Sequence, residues 1–340
     1  MNLKLSPTNR DELKSLLCCR GEEAQYLRDC AARTSEELFG RAIYLRGLIE
    51  ISSFCRNNCL YCGLRRDNSS AERYRLTESQ ILDCCEVGYR AGLRTFVLQG
   101  GEDSFWSDSR LIPLIKQVAT TYPDAAITLS LGERSVDSYK ALHDAGATRY
   151  LLRHEAANQT LYETIHPAEM SYNNRIEAIK SLIQIGYQTG MGMMIGVPEQ
   201  TDEDIVDDLQ LIATLRPQMV GIGPFIPHPA TPFGNYPAGD IDKVLNAIAI
   251  TRLLLPHALI PATTAIATLC QDGHCRAICA GANVIMPNLS PADVRSKYAI
   301  YAGKASSGTE AVEGIKALAA ELGAIGYTIN YTKGDYNDTI

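Results

Sequence analysis

The sequence predicts an α/β protein, a full (β/α)8 TIM barrel carried behind an N-terminal helical extension. Three observations support this. Short apolar runs rich in β-branched residues alternate with amphipathic stretches, the signature of a parallel sheet with crossover helices. The runs number eight, the strand count of a closed barrel. Helical stretches close on Gly92, Gly146 and Gly186 a few residues before the next run, where a C-terminal cap belongs.

Taken in order, a charged, helical pattern runs from Thr8 to about Gly47 and forms the extension, residues 1–47. Strands are expected at 48–53, 95–98, 126–130, 149–153, 188–195, 219–223, 259–263 and 283–286. Helices are expected at 78–91, 108–121, 136–145, 173–185, 202–215 and 240–255, with Thr77 and Thr201 as candidate caps. The barrel then occupies 48–322. A polar tail, 323–340, holds Tyr327-Thr328-Ile329-Asn330-Tyr331, a peripheral strand or a frayed end. A three-quarter barrel of six units is the alternative architecture.

With 340 residues, 46% hydrophobic and 21% charged, the chain can bury a large core. Its net charge of −7 argues against a nucleic-acid or anionic-membrane partner. Met1-Asn2-Leu3-Lys4-Leu5 lacks the apolar core of a secretory signal, and no apolar run reaches the ~18 residues of a membrane span. Eleven cysteines without an export signal point to reduced cytoplasmic thiols, used for metal or buried.

The densest chemistry follows the first strand: Cys55-Arg56-Asn57-Asn58-Cys59-Leu60-Tyr61-Cys62. Three thiolates leave a structural zinc site one ligand short. They suffice for three irons of a four-iron four-sulfur cubane, whose last iron takes a ligand from outside the protein. Incidental clustering of cysteines, or part of a zinc site, is the alternative. After the second strand comes Gln99-Gly100-Gly101-Glu102, either a plain turn or a close backbone approach to a ligand ammonium. The fourth strand ends Arg149-Tyr150-Leu151-Leu152-Arg153-His154-Glu155, and alternation places Arg149, Arg153 and Glu155 on one face. An ordinary surface salt bridge competes there with a ligand's hydroxyls at Glu155 and an anionic substrate at both arginines. Arg175 could fork a carboxylate. Met194 is the one methionine of Gly190-Met191-Gly192-Met193-Met194-Ile195 assigned to a ligand, the others being core filler. In the loop after the sixth strand, His228 admits both a structural and a catalytic reading.

The cysteine spacing, with Tyr61 just before the last Cys, resembles the signature of radical S-adenosylmethionine (SAM) enzymes. Longer stretches resemble the HydE-type maturases of FeFe-hydrogenase: 54–67, 150–155, 220–229, 261–264 and 281–288, within a match running from about Glu36 to Lys304. That resemblance implies a barrel of radical SAM type that cleaves SAM reductively to a 5′-deoxyadenosyl radical. It implies action on an iron–cysteine precursor bearing carbonyl and cyanide. By position, it implies Cys55, Cys59 and Cys62 as catalytic cluster ligands and Tyr61, Gln99, Gly101, Glu102, Ser130, Glu155, Arg175 and Met194 around SAM. Arg46, Arg149, Arg153, Thr263, Thr264, Met286 and Tyr298 are implied as substrate residues. A flavodoxin- or ferredoxin-type electron donor and other hydrogenase maturation proteins are implied partners, in an anaerobic setting.

Some relatives carry a second cluster on cysteines after the segment matching 301–304. Here Ala305-Ser306-Ser307-Gly308-Thr309-Glu310-Ala311 has no cysteine, so that accessory cluster is expected to be absent. Cys270, Cys275 and Cys279 could form a substitute site, with Cys275 and Cys279 four apart on one helix face, although buried cysteine commonly serves as a small hydrophobe. Cys18, Cys19, Cys30, Cys84 and Cys85 lie in helical patterns and read as packing. Two other enzymes share the scaffold, methylornithine synthase acting on lysine and biotin synthase, whose sulfur-donating cysteines are missing from 126–130 and 188–195. A non-catalytic iron–sulfur carrier is the alternative of another class, and Glu102, Glu155 and Arg175 argue against it.

Overall fold

The computed structural model describes residues 5–305 and 307–337. Two helices, α1 (Arg10–Cys18) and α2 (Gly21–Phe39), precede strands β1 (Ala42–Leu45) and β2 (Gly47–Ser52). The alternation then runs α3 (Glu78–Arg90), β3 (Thr95–Gly100), α4 (Asp108–Thr121), β4 (Ala126–Ser130), α5 (Val136–Asp144), β5 (Ala147–Leu151), α6 (Gln159–Ile165), α7 (Tyr172–Ile185), β6 (Gln188–Ile195), α8 (Asp202–Leu215), β7 (Met219–Pro224) and α9 (Ile241–Leu254). Beyond lie α10 (Thr264–Leu269), α11 (Gly273–Ile278), β8 (Val284–Ile285), α12 (Ala292–Arg295), α13 (Ile315–Ala324) and β9 (Thr328–Asn330).

The starts and stops read from sequence hold. Thr77 and Thr201 each make a capping box, with Gln80 and Asp204. Gly92, Gly146 and Gly186 adopt φ of 95°, 119° and 98°, the left-handed region where a Cβ is unfavourable.

Strands β2 to β7 form one parallel, curled sheet in sequence order. One face of its core is apolar, with Ile49, Ile51, Phe96, Leu98, Leu129, Met191, Met193 and Ile222 at most 1% exposed under the helices, while the opposite face carries Glu50, Gln99, Thr128, Ser130 and Arg149. The seventh and eighth expected strands depart from prediction. Residues 259–263 form no ladder strand, and 283–286 shortens to the two residues of β8. Single parallel bridges replace the ladders: Met219↔Leu259, Pro261↔Val284 and Leu48↔Asn288. Pro261 and Pro287 have no N–H to give, and β8 spends its ladder on β1.

Within the expected extension, β1 pairs in parallel with β8 on one side and β9 on the other. The polar tail is therefore a strand at Thr328–Asn330. Helices α1 and α2 pack on α9, where Asn246 donates to the carbonyls of Leu16, Leu17 and Cys19. Cys19, Cys30, Cys84 and Cys85 are buried as expected; Cys18 is half-buried, its thiol 3.2 Å from Asp202. No helix among the described residues is long and apolar enough to cross a membrane.

Candidate active site

Everything expected at the C-terminal ends of the strands hangs on the loop leaving β2. Arg73 holds its shape by donating to the carbonyls of Leu64 and Arg65, at 3.0 and 2.7 Å. Asn68 donates to Gly63 O, and Gly63 N–H to Ile300 O. Cys55, Cys59 and Cys62 are all free and half-buried. Burial is the first cause lifting each thiol, Cys62 to about 12 and Cys59 further, and at Cys59 and Cys62 the neighbouring cysteines add to it. Bare thiols in this place keep their protons; a metal cluster is the cationic partner that would take them as thiolates. Among the described residues no three His, Cys, Asp or Glu side chains converge closely enough for a single ion. Three thiols on one loop leave a zinc site a ligand short and match the three protein-held corners of a cubane, so the donor set fits a cluster.

The loop after β3 seals against the cysteines. A Cβ on Gly101 would stand 2.3 Å from Phe54 O and 2.7 Å from Cys55 Cβ. Gly101→Ala should therefore push the two loops apart, at a cost of about 1–3 kcal/mol typical of overpacking. Iron bound per chain after reconstitution should fall with it, and unchanged iron would refute the contact. Glu102 next door is gripped by Arg56 at 2.8 Å and by Glu133 N–H at 2.9 Å. Gln99 pairs in register with Ser130 on β4, so these two expected SAM residues lie side by side.

Arg153 and Glu155 lie beyond the end of β5, at the rim. Their ion pair measures 3.2 Å, yet Arg153 Nε and Nη2 and Glu155 Oε2 are buried without a hydrogen-bond partner. Arg175, on α7, donates from Nε to Glu133 (2.6 Å) and from Nη1 to Arg153 O (2.6 Å), leaving Nη2 outside these bonds. Met194 belongs to an apolar cluster with Phe225 and Phe233, against which Leu60 and Tyr61 pack. The Tyr61 hydroxyl is 3.1 Å from His166 Nε2, and His166 Nδ1 is 2.9 Å from Tyr162 O. A carbonyl only accepts, so Nδ1 carries the proton and Tyr61 donates to Nε2. Burial, then the charge of Arg175, drops His166 to about 3, so this ring stays neutral and fixes Tyr61.

Arg149 does not share the rim with Arg153 and Glu155, and that grouping is corrected. It stands mid-strand, fully buried, donating to Thr95 Oγ1, Lys333 O and Asp335. A guanidinium without water needs acceptors, and the C-terminal residues bring them to the N-terminal end of the sheet. Arg46 is its neighbour there: burial first, then the charge of Arg149, holds Arg46 well below the usual arginine range. Arg46 gives Nη1 to Met219 Sδ at 2.9 Å, but its Nε and Nη2, and Arg149 Nε, are buried and unpartnered. Met286 packs beside Met219 and Tyr44. Thr263 Oγ1 is 3.5 Å from Ile222 O, and Thr264 donates to Glu310 at 2.7 Å. Tyr298 is 3% exposed, raised by burial and bonded to Gln99.

Sequence reasoning missed Glu133, which links Glu102 to Arg175, and the pair Glu50–Lys304. Glu50 is fully buried on β2, taking Lys304 Nζ at 2.7 Å and Asn288 Nδ2 at 2.9 Å. Its signal was visible: one charge in the apolar run Leu48-Ile49-Glu50-Ile51. Cys270, Cys275 and Cys279 have different surroundings. Cys270 lies near Asp272 and Arg276, Cys275 is 4.0 Å from Glu321 O, and Cys279 is exposed.

Comparison with known proteins agrees with this geometry. The model of the radical SAM superfamily matches residues 49–212. The [FeFe] hydrogenase maturase subunit HydE of Thermotoga maritima is 44% identical over 265 residues, covering 78% of this chain and 75% of that protein. The 3-methylornithine synthase of Methanosarcina acetivorans is 28% identical over 83% of this chain and 80% of its own. A crystal structure of methylornithine synthase superposes with a TM-score of 0.84 at 25% identity, covering 96% of this chain and 95% of that one. With identity of this extent to a HydE protein and a cysteine loop built as described, the chain belongs to the HydE family of the radical SAM superfamily.

Proposed function

We propose that this protein is a hydrogenase maturase that binds one four-iron four-sulfur cluster on Cys55, Cys59 and Cys62, together with SAM. Its substrate is a small anionic iron–cysteine species bearing carbonyl and cyanide. When bound, the cluster and SAM supply one-electron cleavage of a sulfonium carbon–sulfur bond. The chain's own residues bind and orient. Glu102 lies beside the cysteine loop for the methionine ammonium, with Gln99, Gly101, Ser130 and Tyr61 around it. Glu155 Oε2, buried and ion-paired with Arg153 but outside any hydrogen bond, suits ribose hydroxyls; Arg175 Nη2 suits the carboxylate, and Met194 an apolar ring.

One observation carries the substrate class: at the rim, Arg153 Nε is buried with no hydrogen-bond partner, and deeper in the sheet Arg46 and Arg149 also hold unpartnered guanidinium nitrogens. Unpaired buried donors of this kind are costly, and an anion at the rim would satisfy Arg153, with Arg46 and Arg149 adding positive charge below. Thr263, Thr264, Met286 and Tyr298 complete the assigned lining. A lysine substrate brings an ammonium as well as a carboxylate, and the buried carboxylate of Glu50 is already occupied by Lys304 and Asn288. This favours the maturase over methylornithine synthase.

The single bridges from β7 through 259–261 and 284–288 back to β2 support a closed eight-unit barrel over 48–322. The bare 305–311 segment supports a single cluster, and eleven free thiols support a cytoplasmic, reducing setting. The reductant is assigned as a flavodoxin- or ferredoxin-type carrier, and the product is passed to other maturation proteins. The test is anaerobic incubation of reconstituted, reduced protein with SAM and either the iron–cysteine synthon or lysine. Faster 5′-deoxyadenosine release with the synthon is expected. Conversion of lysine to methylornithine would overturn the reading.

A further inference from the structure

Glu155 occupies a backbone conformation that side chains avoid. Its φ is 66°, and Ala156 N–H closes back on His154 O at 2.9 Å. A two-residue closure around a positive φ is the rare, strained form of γ-turn, and for a glutamate it persists only where the surroundings impose it.

Two sets of bonds impose it. On one side, Glu155 N–H donates to Gly192 O at 3.1 Å, bridging the turn to β6 at Met193. On the other stands Asp208, fully buried on α8. Its Oδ1 lies 3.1 Å from His154 Nε2 and accepts Ala157 N–H at 2.6 Å. A carboxylate only accepts, so His154 Nε2 carries the proton. One oxygen therefore grips the residue before Glu155 and the second residue after it. His154 is itself fully buried, so no water can replace that acceptor.

We propose that Asp208 is a positioning residue: through His154 and Ala157 it holds the strained turn that aims Glu155 into the site. This rests on the assignment of Glu155 to the SAM ribose. Both contacts use a single acceptor oxygen, so the role requires that oxygen and not the charge. Asparagine should serve, and alanine should not.

The experiment is equilibrium binding of SAM to reconstituted protein, with iron content and thermal midpoint measured on the same samples. Asp208→Ala should weaken SAM binding about tenfold, or about 1.4 kcal/mol, at unchanged iron per chain. Asp208→Asn should restore the affinity. Glu155→Gln should also weaken binding, and adding Asp208→Ala to it should cost nothing more, because the two act through one group. If Asp208→Ala does not fold, His154→Phe removes one arm of the grip at similar volume and takes its place in the cycle. Losses that add in full, or an affinity unmoved while the thermal midpoint falls, would reduce Asp208 to a packing role. If Glu155→Gln itself binds SAM normally, the ribose assignment fails instead, so the two failures are distinguishable.

Discussion

Cys59→Ala should leave a folded protein that incorporates iron poorly and forms no 5′-deoxyadenosine above background. Cys59 sits between the other two cysteines in a loop whose shape is set by Arg73 and Asn68, so alanine leaves the scaffold in place. Disturbing groups that merely orient a ligand costs 10–100-fold in metal affinity, and loss of the ligand itself should exceed about a hundredfold. Iron per chain, the electron paramagnetic resonance of the reduced protein and chromatographic 5′-deoxyadenosine would read the effect. Cys279→Ala, at an exposed position, should change none of them. A Cys59→Ala protein with full iron and unaltered resonance would refute the ligand set. Wild-type protein with a normal cluster but no SAM cleavage would favour the non-catalytic carrier.

Lys304→Ala should be the most destabilising single change on the interior of the sheet. Lys304 and Glu50 are 8% and 0% exposed along their side chains. Removing one partner strands the other charge, at a cost of about 3–5 kcal/mol. The effect should depend on pH. Burial raises Glu50 above the usual carboxylate range, and the charge of Lys304 is the largest influence opposing it; without Lys304 the group rises further. A carboxyl raised in the folded state binds its proton more readily there than in the unfolded chain. The deficit is therefore full above the raised folded value and shrinks as pH falls through it towards the unfolded value of about 4.3. Denaturant unfolding of the variant at several pH values would show this narrowing gap. The double change Glu50→Gln with Lys304→Met should recover much of the loss at neutral pH. A deficit independent of pH would mean that the lysine contributes packing alone.

Much of this arrangement could be read from the residues alone. Six ladder strands and their helices lay where apolar runs and capping threonines put them, because local propensity and burial agree there. The cysteine loop was legible because its spacing carries chemistry whatever surrounds it. Strands seven and eight were misjudged because Pro261 and Pro287 interrupt hydrogen bonding that composition alone would allow. The placement of Arg149 failed for a different reason. Alternation correctly gives the face of a strand, but Arg149 and Arg153 lie four residues apart, about 13 Å along an extended chain. What completes Arg149 is Asp335, nearly two hundred residues away in sequence. Glu133, Lys304 and Asp208 were hidden likewise, since each takes its meaning from a partner that only the folded chain brings near.

The parallel pairing of Ala42–Leu45 with Thr328–Asn330 has a kinetic corollary. Parallel contacts across almost the whole polypeptide carry the heaviest loop-closure entropy and form late. A ribosome that has delivered the cysteine loop must still synthesise some 260 residues before this seam can be sewn. During that interval β1 has no partner in β9, and the cysteine loop waits as well, since Gly63 N–H pairs with Ile300 O.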